Sequence, residues 1–115
     1  MPSGGSSYVK HRIEYLREWR RYARIVAEAA RSLLESEVYV VGGAAEGRLT
    51  VLSDIDIVIV VGWSLTDSER RRIKADILWA AVERGLPLDY PVEIHIASHE
   101  ELKEYLKRGK AVKIG

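Results

Sequence analysis

Ile55-Asp56-Ile57-Val58-Ile59-Val60-Val61 is a run of β-branched residues interrupted by a single aspartate. Sustained Ile/Val content of this kind belongs to a central strand buried on both faces. The run is strand-sized and far too short to cross a bilayer. Asp54 stands two positions before Asp56, at the mouth of the same segment. Successive strand side chains point to opposite faces, so Asp54 and Asp56 are expected to share one face. Two like charges held side by side repel each other, and a cation between them neutralises the pair.

The rest of the chain frames that site. With 115 residues there is room for one core. An apolar content of 47% beside 30% charged residues is that of a folded chain, not a disordered one. The formal net charge of +1 supplies no basic field, which argues against nucleic acid as a partner. The N-terminus, MPSGGSSYVK, lacks the apolar stretch of a secretory signal, so a cytoplasmic location with no membrane partner is expected. The absence of cysteine excludes disulfides, thiolate metal ligands and a thiol nucleophile. Asn and Gln are also absent, while Arg, Glu and Lys are abundant. That usage is typical of hyperthermophile proteins and predicts a thermophilic origin.

Residues 1–7 are small and polar and read as a disordered arm before a single domain over 8–115. From Tyr8 to about Glu35 an apolar stripe at Ile13, Leu16, Val26, Ala30 and Leu33 predicts one long helix, with Tyr15 and Trp19 at the stripe's margin read as core. Glu37 to Val41 reads as a strand that breaks at Gly42-Gly43 into a tight turn or short helix. Arg48 to Leu52 is a loop or the start of the next strand, Asp54 to Val61. Thr66 with Glu69 has capping-box spacing and opens a helix near Asp67 that ends at Arg84-Gly85. The Arg70-Arg71-Arg72 run on it reads as a solvated face. Val92 to Ala97 alternates as a third strand, and Ser98 with Glu101 caps a last helix to about Arg108. Ala111 to Ile114 is a short fourth strand or an extended tail. A helix between the second and third strands favours a parallel crossover, and the short link between the first two favours an antiparallel pair. The expected fold is α/β (α+β), a small mixed sheet flanked by helices.

On the third strand, Glu93 and His95 face away from Val92, Ile94 and Ile96. If the second and third strands are neighbours, Glu93 lies beside Asp54 and Asp56. Three carboxylates at one sheet end can hold divalent cations such as Mg²⁺, which take oxygen ligands and substrate phosphates. Two such ions serve phosphoryl or nucleotidyl transfer by activating the attacking oxygen and stabilising the leaving one. The Gly42-Gly43 turn would approach a triphosphate through its backbone N–H groups. His95 reads as a half-buried, satisfied histidine, and Ser53 as a turn residue that bonds the backbone.

A strand ending in Gly42-Gly43, then Ala44 to Ser53, then Asp54-Ile55-Asp56, with an acidic residue in a later VEIHIAS strand, resembles one family. This is the minimal nucleotidyltransferase group of the DNA polymerase β superfamily, in its small archaeal form. The resemblance runs from about Tyr39 to Leu102. It implies catalysis and metal binding by Asp54, Asp56 and Glu93, with two Mg²⁺ ions. It also implies nucleotide binding around Gly42, Gly43 and Ser53, and transfer of an NMP, usually from ATP, to a hydroxyl. Family members of this size commonly pair with a helical HEPN-type protein, in some cases as an antitoxin that adds AMP to a tyrosine of the partner. A HEPN-type partner or a homo-oligomer is therefore expected. The chain departs from the motif twice. The family's Ser is Gly43, which removes a hydroxyl donor, and its frequent Arg is Glu46, for which Arg48 is the candidate substitute. A catalytically weak nucleotide-binding or protein-interaction module is the alternative reading.

Overall fold

A computed structural model describes residues 4–115. Along the chain lie α1 (Gly4–Arg17), α2 (Trp19–Leu33), β1 (Glu37–Val41), α3 (Gly43–Glu46), β2 (Ile55–Val61), α4 (Asp67–Glu83), β3 (Val92–Ser98), α5 (His99–Arg108) and β4 (Ala111–Ile114). The strands form one sheet in the order β3-β2-β1-β4. β1 runs antiparallel to both β2 and β4, while β2 and β3 run parallel. The connections explain this. The α4 crossover is long enough to return the chain to the same end of the sheet, and the α3 link is not.

The alternation of each strand feeds two separate cores. Val38, Val40, Ile55, Ile57, Ile59, Val61, Ile94 and Ile96 pack against α2 and α4. Val41, Val58, Val60 and Ala97 pack on the opposite face, against Leu102 of α5 and beside Tyr39 and Tyr105. β2 is thus covered on both sides, as its Ile/Val content requires. Alanines at 23, 27 and 30, all buried, leave α2 a flat face on the sheet. The one polar interruption of β2, Asp56, falls near the strand's open end and is only partly buried.

Four expectations need correction. The long N-terminal helix is broken at Glu18, whose backbone (φ −100°, ψ 29°) leaves helical geometry. α2 lies on the sheet, and α1 reaches the loop before β2. There Arg12 donates to the carbonyls of Val51 and Ser53. Consequently Leu16 is the α1 side chain in the core, and Ile13, expected there, is exposed. Second, of the arm expected over 1–7, the described part is helical. Residues 1–3 lie outside the described residues, and Gly4 to Ser7 continue α1, since extending an existing helix costs far less than starting one. Third, Asp54 precedes β2 rather than opening it. Fourth, Arg70 is not a purely solvated residue. It donates to the Ile96 carbonyl (2.9 Å) and pairs with Glu101 (2.9 Å), tying α4 to the β3–α5 junction.

Both capping boxes are present, at Thr66/Glu69 and Ser98/Glu101. The hydrogen bond from Arg70, with those from Ser98, holds the Glu101 carboxyl below the usual carboxylate range. A depressed carboxyl stabilises the fold above its unfolded pKa and loses that contribution as pH falls through its folded one. Glu101→Gln is therefore expected to lower the urea midpoint at neutral pH. The gap from the parent should close as pH falls below the usual carboxylate range. Ser98→Ala should cost about 1 kcal/mol in the same measurement.

Candidate active site

Strand register assembles the site. Asp56 is paired with Val41 across the antiparallel β1–β2 ladder and with Glu93 across the parallel β2–β3 ladder. His95 lies two residues beyond Glu93 on the same face of β3, opposite Val58. Its Nε2 is 3.5 Å from Asp56 Oδ1 and 4.0 Å from Glu93 Oε1. One donor atom from each of Asp56, Glu93 and His95 falls within 4.8 Å of the other two.

The turn after β1 passes directly over this group. Gly42 has φ +72° and ψ −148°, a region closed to residues with a Cβ. A Cβ built there would stand 2.8 Å from Asp56 Oδ2. The same addition at Gly43 would meet the Arg48 carbonyl oxygen at an ordinary 3.5 Å. Gly42 is thus demanded by both backbone and carboxylate, and Gly43 by neither.

From the other side, α5 and the turn into β4 close a cavity of about 290 Å³ whose lining includes Gly42, Asp56, His95, Tyr105, Arg108 and Lys110. The Tyr105 ring lies 5.9 Å from the His95 ring. Arg108 and Lys110 bring positive charge to a cavity with carboxylates at its base, an arrangement suited to an anionic ligand carrying a cation. Glu46 also lines the cavity, and its Oε1 is paired with Arg48 Nη2 at 3.0 Å. Arg48, the candidate substitute for an arginine at position 46, is thus paired with Glu46 itself. A larger cavity, about 350 Å³, opens at the opposite sheet end beside Ser36, Trp63 and His99. No comparable donor group is found there among the described residues.

The structure brings Asp56 and Glu93 together but places Asp54 apart from their donor group. Asp54 Oδ1 accepts from Arg12 Nη2 at 3.1 Å, in a pair whose arginine is largely buried. Ser53 is engaged in its own turn: its hydroxyl accepts from the Thr50 N–H at 2.8 Å. His95 and Arg12 are the residues that sequence reasoning undervalued. The alternation of β3 already placed His95 on the face of Glu93. For Arg12 there was no signal, because its partners lie about forty residues away across the fold.

Burial pushes the Asp56 carboxyl above the usual carboxylate range. His95 pulls it down, and the neighbouring Glu93 and Asp54 charges push it further up. That balance describes a carboxylate short of positive charge, and together with the convergent oxygen and nitrogen donors it fits a divalent cation.

Comparison with known proteins agrees with this layout. Residues 21–112 match the family described as nucleotidyltransferase domain. That segment contains all of the site except Arg12, and the chain belongs to that family. Two solved structures are similar. One is a Sulfolobus solfataricus protein assigned by inference as a nucleotidyltransferase. It is 20% identical, with a TM-score of 0.66 over 89% of this chain and 84% of its own. The other carries the same assignment and is 26% identical, with a TM-score of 0.52 over 78% of this chain and 94% of its own. The mixed sheet and its flanking helices are therefore a fold shared with nucleotidyltransferase-like structures. No curated protein matches the chain.

The two glycines should separate on substitution. Gly42→Ala is expected to cost about 1–3 kcal/mol, since it forces a side chain into a glycine-only backbone region. It also crowds Asp56. Gly43→Ala should leave the denaturation midpoint close to that of the parent. Chemical denaturation of the two variants checks the pair.

Proposed function

We propose that this protein transfers a nucleoside monophosphate, AMP from ATP in the first instance, to a hydroxyl group with divalent cations. The observation that carries the reading is the Asp56–Glu93 pair on neighbouring parallel strands, lying beneath the Gly42 turn inside a family-matched segment. Bound at this site, divalent cations neutralise the phosphates and polarise the reacting oxygens. The chain's own residues supply the rest. Gly42 lets the backbone approach the carboxylates without a side chain in the way. Arg108 and Lys110 line the cavity where phosphates would lie, and attract them as fixed positive charges. Asp54, held by Arg12 at the site's margin, adds a carboxylate for a second cation that arrives with the nucleotide.

In this reading the acceptor hydroxyl belongs to a separate macromolecule, a helical partner protein or a second copy of the chain. A second reading, a nucleotide-binding module with weak turnover, is favoured by the Glu46–Arg48 pair. That pair puts a neutralised side chain where a phosphate-attracting arginine would serve.

The test is incubation with α-labelled ATP, a divalent cation and the product of the neighbouring gene. Label should pass to the acceptor, and Asp56→Asn should reduce transfer by about 100-fold or more. Transfer that survives Asp56→Asn, or no transfer at all, ends the enzymatic reading. Because position 43 has room for a side chain, Gly43→Ser should tighten ATP binding roughly tenfold through one added hydrogen bond to charged phosphate. Calorimetric titration of both proteins measures it.

A further inference from the structure

Three donors converge on one point of the β2–β3 ladder, and one of them is a nitrogen. We propose that His95 Nε2 is a direct ligand. The Asp56–Glu93–His95 group would then hold a first-row transition cation, such as Mn²⁺ or Co²⁺, in preference to Mg²⁺. The inference deepens the functional reading above and rests on it for the purpose of the site, though not for its geometry.

The separations carry the argument. Two atoms bound to one ion at about 2.1 Å each can stand no more than about 4.2 Å apart. The Nε2 distances to Asp56 and Glu93, 3.5 and 4.0 Å, meet that limit. Both are longer than a good N–H···O hydrogen bond, about 2.7–3.2 Å. The three donor atoms lie within 4.8 Å of one another, so a small closure brings them onto one ion in exchange for the long His95–Asp56 hydrogen bond of 3.5 Å. All three side chains stand on paired strands, so the ladder, not a loop, sets their spacing. The Tyr105 ring flanks the imidazole, with ring centroids 5.9 Å apart. Glu93, with a side chain 53% exposed, has the freedom to close the remaining gap.

Donor chemistry then chooses the cation. Mg²⁺ favours oxygen ligands and surrenders its waters reluctantly. Imidazole favours the later first-row ions, whose affinities rise from Mn²⁺ to Co²⁺ and beyond. Asp54 lies outside this group and is paired with Arg12, so the third donor that the strand ladder brings to Asp56 and Glu93 is a nitrogen.

The test needs metal alone, with no nucleotide. The full chain and His95→Ala are titrated separately with MnCl₂, CoCl₂ and MgCl₂ by calorimetry, at a pH where imidazole is neutral. Nitrogen coupling is read from the electron paramagnetic resonance of bound Mn²⁺. His95→Ala should lose about 10- to 100-fold in Mn²⁺ and Co²⁺ affinity, at least the loss seen when a metal ligand's outer partner is removed. Its Mg²⁺ affinity should change less than about threefold. The parent's Mn²⁺ signal should show ¹⁴N coupling that the variant lacks. If His95→Ala unfolds, His95→Asn keeps the polarity and is read in the same way. Unchanged Mn²⁺ affinity without ¹⁴N coupling in the parent overturns the proposal. Because no nucleotide is present, a protein that binds Mn²⁺ through His95 yet transfers no label refutes the activity alone. A protein that transfers label while its Mn²⁺ ignores His95 refutes this inference alone.

Discussion

Asp56 and Glu93 stand side by side because β2 and β3 run parallel in a register that pairs them directly. Nothing local would bring them together: they belong to separate strands with a long helix between. The parallel arrangement comes from the α4 crossover, and the register from the need to keep Ile55, Ile57, Ile94 and Ile96 on one face. A shift by one residue would turn Glu93 and His95 into the apolar layer under α4 and bring the isoleucines out. Burial of one face thus sets the geometry of the charges on the other. The site has no loop on which its main carboxylates depend.

The second face is divided along its length. Toward the far end of the sheet it carries Val58, Val60 and Ala97 beneath Leu102 of α5. Toward the near end it turns polar at Asp56, Glu93 and His95, where α5 gives way to Arg108, Gly109 and Lys110. α5 therefore has two duties. It covers the apolar half and, through Tyr105 and the basic turn beyond it, walls the polar half. Its own start is anchored by Ser98, Glu101 and Arg70. The helix is held at one end while the other borders the cavity.

Much of this was legible in the residues. The Ile/Val run identified the central strand, the two capping boxes located the last two long helices, and connection length separated the parallel from the antiparallel pair. The alternation of VEIHIAS put Glu93 on the polar face. What could not be read was contact between distant segments. Asp54 and Asp56 obey the same two-residue spacing, yet Asp54 precedes the strand and pairs with Arg12 on α1, a partner about which periodicity says nothing. The break at Glu18 was hidden for a similar reason. The helical pattern is continuous through it, and periodicity does not mark where the two halves find different partners.

The Gly42-Gly43 turn shows how differently two adjacent identical residues can be constrained. At position 42, backbone conformation and the nearby carboxylate together exclude any side chain, so every path of sequence change through that position passes through a damaged protein. At position 43 there is space, and only affinity for a ligand distinguishes serine from glycine. A lineage can lose the hydroxyl there without losing its fold, and can regain it by the same route. Of the two departures from the motif the chain resembles, the one at Gly43 falls where a side chain has room. Under the proposed function, nucleotide affinity is thus a property that can drift while the carboxylate site beneath the turn stays in place.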